Sequence, residues 1–190
     1  MNITVFCSVQ DVAERYTAAA REFATLVAHG GHTLVWGGSN YGTMRTIADA
    51  AQRAGGKIVG VSVEPIRSRA RPNADEMIIA KDWPERRATL LARADAVAVL
   101  PGGLGTLDEI TEVLEYKKQN IHNKPVVFLN ADGFYDGLSM QFERMDDEGF
   151  FPRALSEYLF FATTPEEAMA YIEKMVAGPS LSPRAGRGRG

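Results

Sequence analysis

The sequence predicts one Rossmann-like α/β domain over residues 1–177: a doubly wound, mostly parallel sheet with helices on both faces. Three observations predict it. Runs such as Thr33-Leu34-Val35-Trp36 and Ala96-Val97-Ala98-Val99-Leu100 are apolar throughout, as strands buried on both faces are. The segments between such runs repeat apolar residues at helical spacing, giving a strand–helix alternation. Glycine clusters stand directly after two of the strands, at the edge where such sheets bind ligands.

Residues 3–8 read as the first strand. A helix over 11–29 follows, because Val12, Tyr16, Ala19, Ala20, Phe23, Leu26 and Val27 share one face. A short strand at 33–36 ends at Gly37-Gly38, and a helix over about 43–54 is stopped by Gly55-Gly56. Strands at 57–63 and 75–80 precede a helix over 84–93 that Asp82 or Trp83 caps. A strand at 96–100, a helix at 106–119, a strand at 125–129 and a helix at 135–148 continue the alternation. Thr164-Pro165-Glu166-Glu167 joins a capping box to a proline at the first helical position, opening a last helix to about 176. Residues 178–190, rich in Gly, Pro and Arg, are too poor in apolar residues to fold alone and read as a disordered, solubilising tail.

At 190 residues the chain is large enough to hold one core without a metal or disulfide. Its apolar runs are far too short to span a bilayer, so a membrane is not an expected partner. The net charge is −3, but Arg184, Arg187 and Arg189 lie in the tail, leaving 18 basic against 24 acidic residues, a net of −6. A body of that sign repels a phosphate backbone, which argues against nucleic acid as a partner. The N-terminus enters a strand-like run with no basic segment or cleavage site, and Cys7 is the single cysteine. Both fit a cytoplasmic setting.

The glycine clusters are Gly37-Gly38-Ser39-Asn40-Tyr41-Gly42-Thr43-Met44 and Pro101-Gly102-Gly103-Leu104-Gly105-Thr106. Between a strand and a helix, glycines let backbone amides approach a ligand, and the helix N-terminus adds a positive dipole, which together suit phosphate. The usual nucleotide motifs fail. Thr43-Met44 stands where an NTP-binding loop needs Lys-Ser or Lys-Thr, and Asp108 occupies the third glycine position of a dinucleotide fingerprint. Thr106-Leu107-Asp108-Glu109 reads either as a capping box or as chemistry, since a site that only gripped phosphate would gain from Lys or Arg rather than two acids. A carboxylate beside a phosphate suits a positive charge developing in a reaction, such as a ribosyl oxocarbenium ion. His29, His32 and His122 lack metal-ligand spacing, so no metal site is expected.

With those residues in view, the chain from about 3 to 175 resembles the Lonely Guy family, cytokinin riboside 5′-monophosphate phosphoribohydrolases often mislabelled as lysine decarboxylases. The family motif Pro-Gly-Gly-x-Gly-Thr-x-x-Glu is complete at 101–109, and Glu85-Arg86-Arg87-Ala88 matches the upstream Glu-Arg-Lys-Ala with one change. The resemblance implies hydrolysis of a purine nucleoside 5′-monophosphate, N6-modified adenine included, to free base and ribose 5-phosphate. No metal or organic cofactor is implied, and a homodimer or larger assembly is. It makes Arg86 and Glu109 the catalytic pair, a choice between Arg86 and Arg87 that helical spacing leaves open. Gly37, Gly38, Gly102, Gly103, Leu104, Gly105, Thr106 and Arg87 become the expected substrate and phosphate contacts. The chain departs from the family at Arg45, Ser62-Val63-Glu64-Pro65 and Trp83-Pro84, which border the expected base pocket. A non-catalytic carrier of a nucleotide or a molybdenum-cofactor-like ligand is the competing reading.

Overall fold

A computed structural model describes residues 1–178; the expected tail, from 179 onward, lies outside the described residues. In chain order the elements are β1 (Asn2–Phe6), α1 (Glu14–His29), β2 (Thr33–Trp36), α2 (Gly42–Arg53), β3 (Lys57–Val63), β4 (Glu76–Ala80) and α3 (Trp83–Arg93). Then come β5 (Ala96–Val99), α4 (Leu104–Lys118), β6 (Val126–Leu129), α5 (Asp136–Asp147), β7 (Phe160–Ala162) and α6 (Pro165–Ala177). The strands form one sheet in the order β4-β3-β2-β1-β5-β6-β7, and every neighbouring pair is parallel.

The chain winds outward from β1 to β4, then returns to the other side of β1 as β5. Connections therefore diverge above the paired ends Phe6 and Val99, opening a crevice at the switch point. Alternation along the strands divides the core between the two faces. Ile3, Val5, Leu34 and Trp36 pack with Phe23 of α1, Ile47 of α2 and Ile172 of α6. Val35, Val97, Val99 and Phe128 pack with Leu90 of α3, Ile110 of α4 and Phe142 of α5. Thr4 is fully buried on that second face, and its hydroxyl donates to Leu90 O at 3.0 Å, which satisfies it.

Three boundaries depart from the sequence reading. β7 has only three residues, too few for a periodic signal, and was not expected. α1 starts at Glu14 rather than 11, so Val12 is exposed and residues 7–13 remain loop above the crevice. α4 starts at Leu104 with Gly103 in extended conformation as its N-cap, and no side chain caps it. Thr106 and Glu109 are thus inside the helix, and the capping-box reading is corrected. The other expected caps form: Asp82 accepts from Glu85 N at 2.9 Å and Thr164 from Glu167 N at 3.2 Å.

Lys117, near the end of α4, is a buried cation, 2% exposed, with Nζ donating to Lys124 O at 2.9 Å. Burial, helped by nearby Arg153, lowers its pKa from 10.5 to about 8. The unfolded chain binds the proton more tightly, so stability rises with pH between those values and the full penalty is present below about pH 8. Lys117→Met is therefore expected to raise the urea midpoint at pH 7. The gain should shrink by up to about 3 kcal/mol as wild type is taken toward pH 10. A gap between the two proteins that does not change with pH would contradict this.

Candidate active site

The crevice holds a cavity of about 460 Å³, within the size range of small-molecule sites. Its floor is the loop after β1, Cys7 to Gln10, and its walls come from four other places. Gly37, Ser39 and Met44 follow β2; Ile66 and Arg69 follow β3; Trp83 and Arg86 open α3; Gly103, Leu104, Gly105, Thr106 and Glu109 open α4.

Arg86 and Glu109 meet inside it. Arg86 Nη1 donates to Glu109 Oε1 at 2.5 Å, and the residues are 5% and 8% exposed. The guanidinium is held from two further sides, Nε donating to Val61 O at 2.9 Å and Nη2 to Gly37 O at 3.4 Å. A Cβ on Gly37 would sit under 3.0 Å from that Nη2, so a glycine there lets the arginine cross the end of β2. Burial raises the Glu109 pKa; Arg86 pulls it down only in part, and Asp108 adds to the rise. The carboxyl therefore protonates above the ordinary carboxylate range while facing a fixed cation.

Beside this pair lies the N-terminus of α4. Leu107 N bonds Gly103 O, but the amides of Leu104, Gly105 and Thr106 precede any intrahelical acceptor and border the cavity. Free amides at a helix N-terminus suit an anion. Gly102 lies just behind: a Cβ on it would strike the Thr106 side chain, so it closes the turn rather than lining the cavity.

The other glycine cluster is not such a site. Met44 N donates to Ser8 O at 3.1 Å and Thr43 N to Gln10 O at 3.4 Å, so the start of α2 is occupied by the loop after β1. Gly42, at φ +54°, is wedged against the Val9 and Gln10 carbonyls, where a Cβ would clash. Gly38 turns away beneath Ser62 and Met77, and its carbonyl accepts from Arg71 N at 2.9 Å. Of the expected contacts Gly37, Gly103, Leu104, Gly105 and Thr106 border the cavity, whereas Gly38 and Gly102 shape it from behind.

Arg87 is corrected outright. It lies on the other side of α3, ion-paired with Glu112 and, at 3.3 Å, with Asp108, next to Phe6, Leu91 and Tyr116. Helical geometry sends adjacent residues about 100° apart, so only one of the two arginines can enter the crevice.

Several wall residues had no motif to reveal them. Cys7, expected as strand filling, is buried and forms floor as well; burial and the nearby Glu109 push its thiol pKa far up, leaving it a neutral, inert group. Ile66 and Arg69 sit in a short 3-10 segment, Glu64–Arg69, tied down by its neighbour Arg71. Arg71 is buried, its guanidinium bonding Gln52 Oε1 and Asp49 Oδ1 at 2.7 Å each and Asn40 Oδ1 at 3.1 Å. Asn40 N also donates to Arg69 O at 2.9 Å, so the segment is fastened to the turn after β2. Among the described residues no group of three His, Cys, Asp or Glu is placed to hold a metal ion.

Residues 44–172 match the family described as possible lysine decarboxylase. A cytokinin riboside 5′-monophosphate phosphoribohydrolase of Mycobacterium tuberculosis is 32% identical over 169 residues, 88% of this chain and 90% of that one. One from Rhodococcoides fascians is 34% identical over 175 residues, 90% of this chain and 88% of that one. The chain belongs to the Lonely Guy family.

Two solved structures share the fold. The molybdenum cofactor binding protein of Rippkaea orientalis superposes with a TM-score of 0.72 at 22% identity, covering 92% of this chain and 96% of that one. The molybdenum cofactor carrier protein of Chlamydomonas reinhardtii gives 0.70 at 23%, covering 93% and 98%. Among this chain's departures from the Lonely Guy pattern, Trp83 lines the cavity, with Arg86 Cζ 5.7 Å from its ring centroid. Arg45 does not: it is half-exposed, with Asp11 Oδ1 at 3.8 Å. The Ser62-Val63-Glu64-Pro65 change leads into the segment that brings Ile66 and Arg69 to the wall.

Proposed function

We propose that this protein hydrolyses the N-glycosidic bond of a purine nucleoside 5′-monophosphate, releasing the free base and ribose 5-phosphate. The observation that carries it is the buried Arg86–Glu109 pair beside the open N-terminus of α4 within one cavity. Lonely Guy relatives named as phosphoribohydrolases support it.

The first-turn amides of α4 receive the 5′-phosphate, which fixes the ribose above Glu109. As the bond from C1′ to the base nitrogen breaks, its electron pair leaves with the base, which takes up a proton from solvent. Positive charge develops on the ribose ring. The Glu109 carboxylate, itself 8% exposed, stabilises that charge and orients the incoming water, whose oxygen bonds C1′ and whose proton the carboxylate accepts. Arg86 keeps the carboxylate ionised and aimed. A carrier needs no such pair, and the likeness to cofactor carriers at 22% and 23% identity is one of fold. Among the described residues no helix is long and apolar enough to cross a membrane.

The test is release of free base, followed by chromatography, from AMP, IMP and GMP and from their nucleosides. Because phosphate binding supplies energy for orienting the reacting bond, each monophosphate cleaved should react far faster than its nucleoside. Comparable kcat/KM for a nucleotide and its nucleoside would sink the reading, as would tight binding without cleavage.

A further inference from the structure

We propose that Tyr135 is a positioning residue for the phosphate end of the cavity: its buried hydroxyl ties down the connection from β5 to α4 and so sets where the free amides of Leu104, Gly105 and Thr106 stand. The inference rests on the functional reading for the anion that those amides receive.

The connection has little else to hold it. Pro101 has no N–H to give, Gly102 and Gly103 bring no side chain, and no side chain caps α4. A Cβ on Gly103 or Gly105 would meet nothing within 4 Å, so the outer side of the turn is unpacked. At its root Leu100 is fully buried, and its N–H donates to Phe6 O at 2.9 Å, which fixes it to β1. The Leu100 carbonyl, one residue past the end of β5, receives no backbone N–H among the described residues. Its partner is a side chain. Tyr135 Oη donates to Leu100 O at 2.8 Å, and among the described residues no other side chain hydrogen-bonds the backbone of residues 100–106.

Tyr135 is itself fixed from two directions. β6 neighbours β5 in the sheet, so the start of α5, after β6, lies beside the connection after β5. Tyr135 N donates to Asn130 Oδ1 at 2.6 Å, and the ring, 3% exposed, meets Phe128 and Phe134 edge-on with centroids 5.2 and 4.8 Å away. Burial raises the phenol's pKa and nearby Cys7 adds to the rise, while the Gly102 amide pulls it down. The hydroxyl thus lies close to both the cavity floor and the turn it holds, and it keeps its proton as a constant donor.

Removing that donor leaves a buried carbonyl unpaired, which is costly, so the turn shifts until Leu100 O finds water or another N–H. The two glycines let the first turn of α4 follow. Hydrogen bonds weaken steeply with misalignment, so the phosphate loses contact. Glu109 lies a turn further along α4 and is held separately by Arg86.

The test uses Tyr135→Phe in the full chain, which keeps the ring and removes the hydroxyl. Calorimetric titration with ribose 5-phosphate should show a Kd raised about 10-fold, the worth of one hydrogen bond to a charged group. The kcat/KM for AMP should fall by a similar factor, while that for adenosine, which has no phosphate, stays at the wild-type value. Phe142→Leu, a cavity in the same core layer against Phe128, is the control: it should lower the melting temperature and leave ribose 5-phosphate affinity unchanged. Should Tyr135→Phe not fold, Asn130→Ala, which takes the acceptor from Tyr135 N, should weaken ribose 5-phosphate in the same way.

Wild-type affinity for ribose 5-phosphate in Tyr135→Phe overturns the proposal. Equal losses for AMP and adenosine overturn it too, as does a matching loss of ribose 5-phosphate in Phe142→Leu, since each makes the tyrosine merely structural. A wild type that binds ribose 5-phosphate but cleaves no monophosphate removes the hydrolase reading, and the titrations alone then decide the role of Tyr135. A wild type that binds neither ribose 5-phosphate nor AMP removes both.

Discussion

Replacing Glu109 with Gln is expected to lower turnover by about 10²-fold or more at saturating substrate, the loss typical of one acid/base or electrostatic group. The substitution keeps the shape of the side chain and an oxygen that accepts from Arg86 Nη1, so the bond now at 2.5 Å can persist. It removes the negative charge, leaving the Arg86 guanidinium buried against carbonyls only. Some stability is lost, and the assay belongs well below the melting temperature with folding checked by circular dichroism. The helix start at Leu104 removes the alternative that Glu109 merely caps α4, so near-normal turnover in the variant would leave the carboxylate without a role. The pH profile gives an independent sign. Burial raises the Glu109 pKa above the ordinary carboxylate range, and the reaction needs the ionised form. In wild type, kcat/KM should therefore fall as pH drops through a value above 4.5, and that acid limb should vanish in the Gln variant.

Arg86→Ala carries the second large effect, again about 10²-fold or more in kcat/KM. Arg86 is the main group that lowers the Glu109 pKa, with Arg87 adding a smaller pull, so the loss of Arg86 should also move the acid limb of the residual activity to higher pH. A structural arginine would reduce the amount of folded protein without moving that limb. Arg87→Ala is the control: its partners Asp108 and Glu112 lie outside the cavity, and its activity should stay near wild type. Inactivation by Arg87→Ala with an active Arg86→Ala would show that α3 presents a different face to the substrate.

The sheet was legible because its strands are apolar on both faces, a pattern no surface segment shares, and because Asp82 and Thr164 announce their helices through side-chain caps. The start of α4 was not, since its cap is the extended backbone of Gly103 and Thr106-x-x-Glu109 imitates a capping box three residues late. Motif similarity, rather than periodicity, singled out Arg86 over Arg87; the packing of α3 on the sheet supplies the physical reason. The second glycine cluster misled for a related cause. Its amides are consumed by Ser8 and Gln10, residues far from it in sequence. The cavity wall after β3 was invisible for the same reason: Ile66 and Arg69 stand on a segment fastened by Arg71, whose partners Asn40, Asp49 and Gln52 carry no signature of their joint role.

The fastening of Arg69 differs in kind from that of Arg86. Arg86 is bound to main-chain carbonyls of β2's turn and β3, so its position is inherited from the sheet itself. Arg69 stands on a short connection pinned by side chains. Changes within residues 64–69 can thus reshape that wall of the cavity without disturbing the Arg86–Glu109 pair. Sequence diversity among relatives should therefore collect at that connection, while Arg86 and the carbonyls that hold it stay in place.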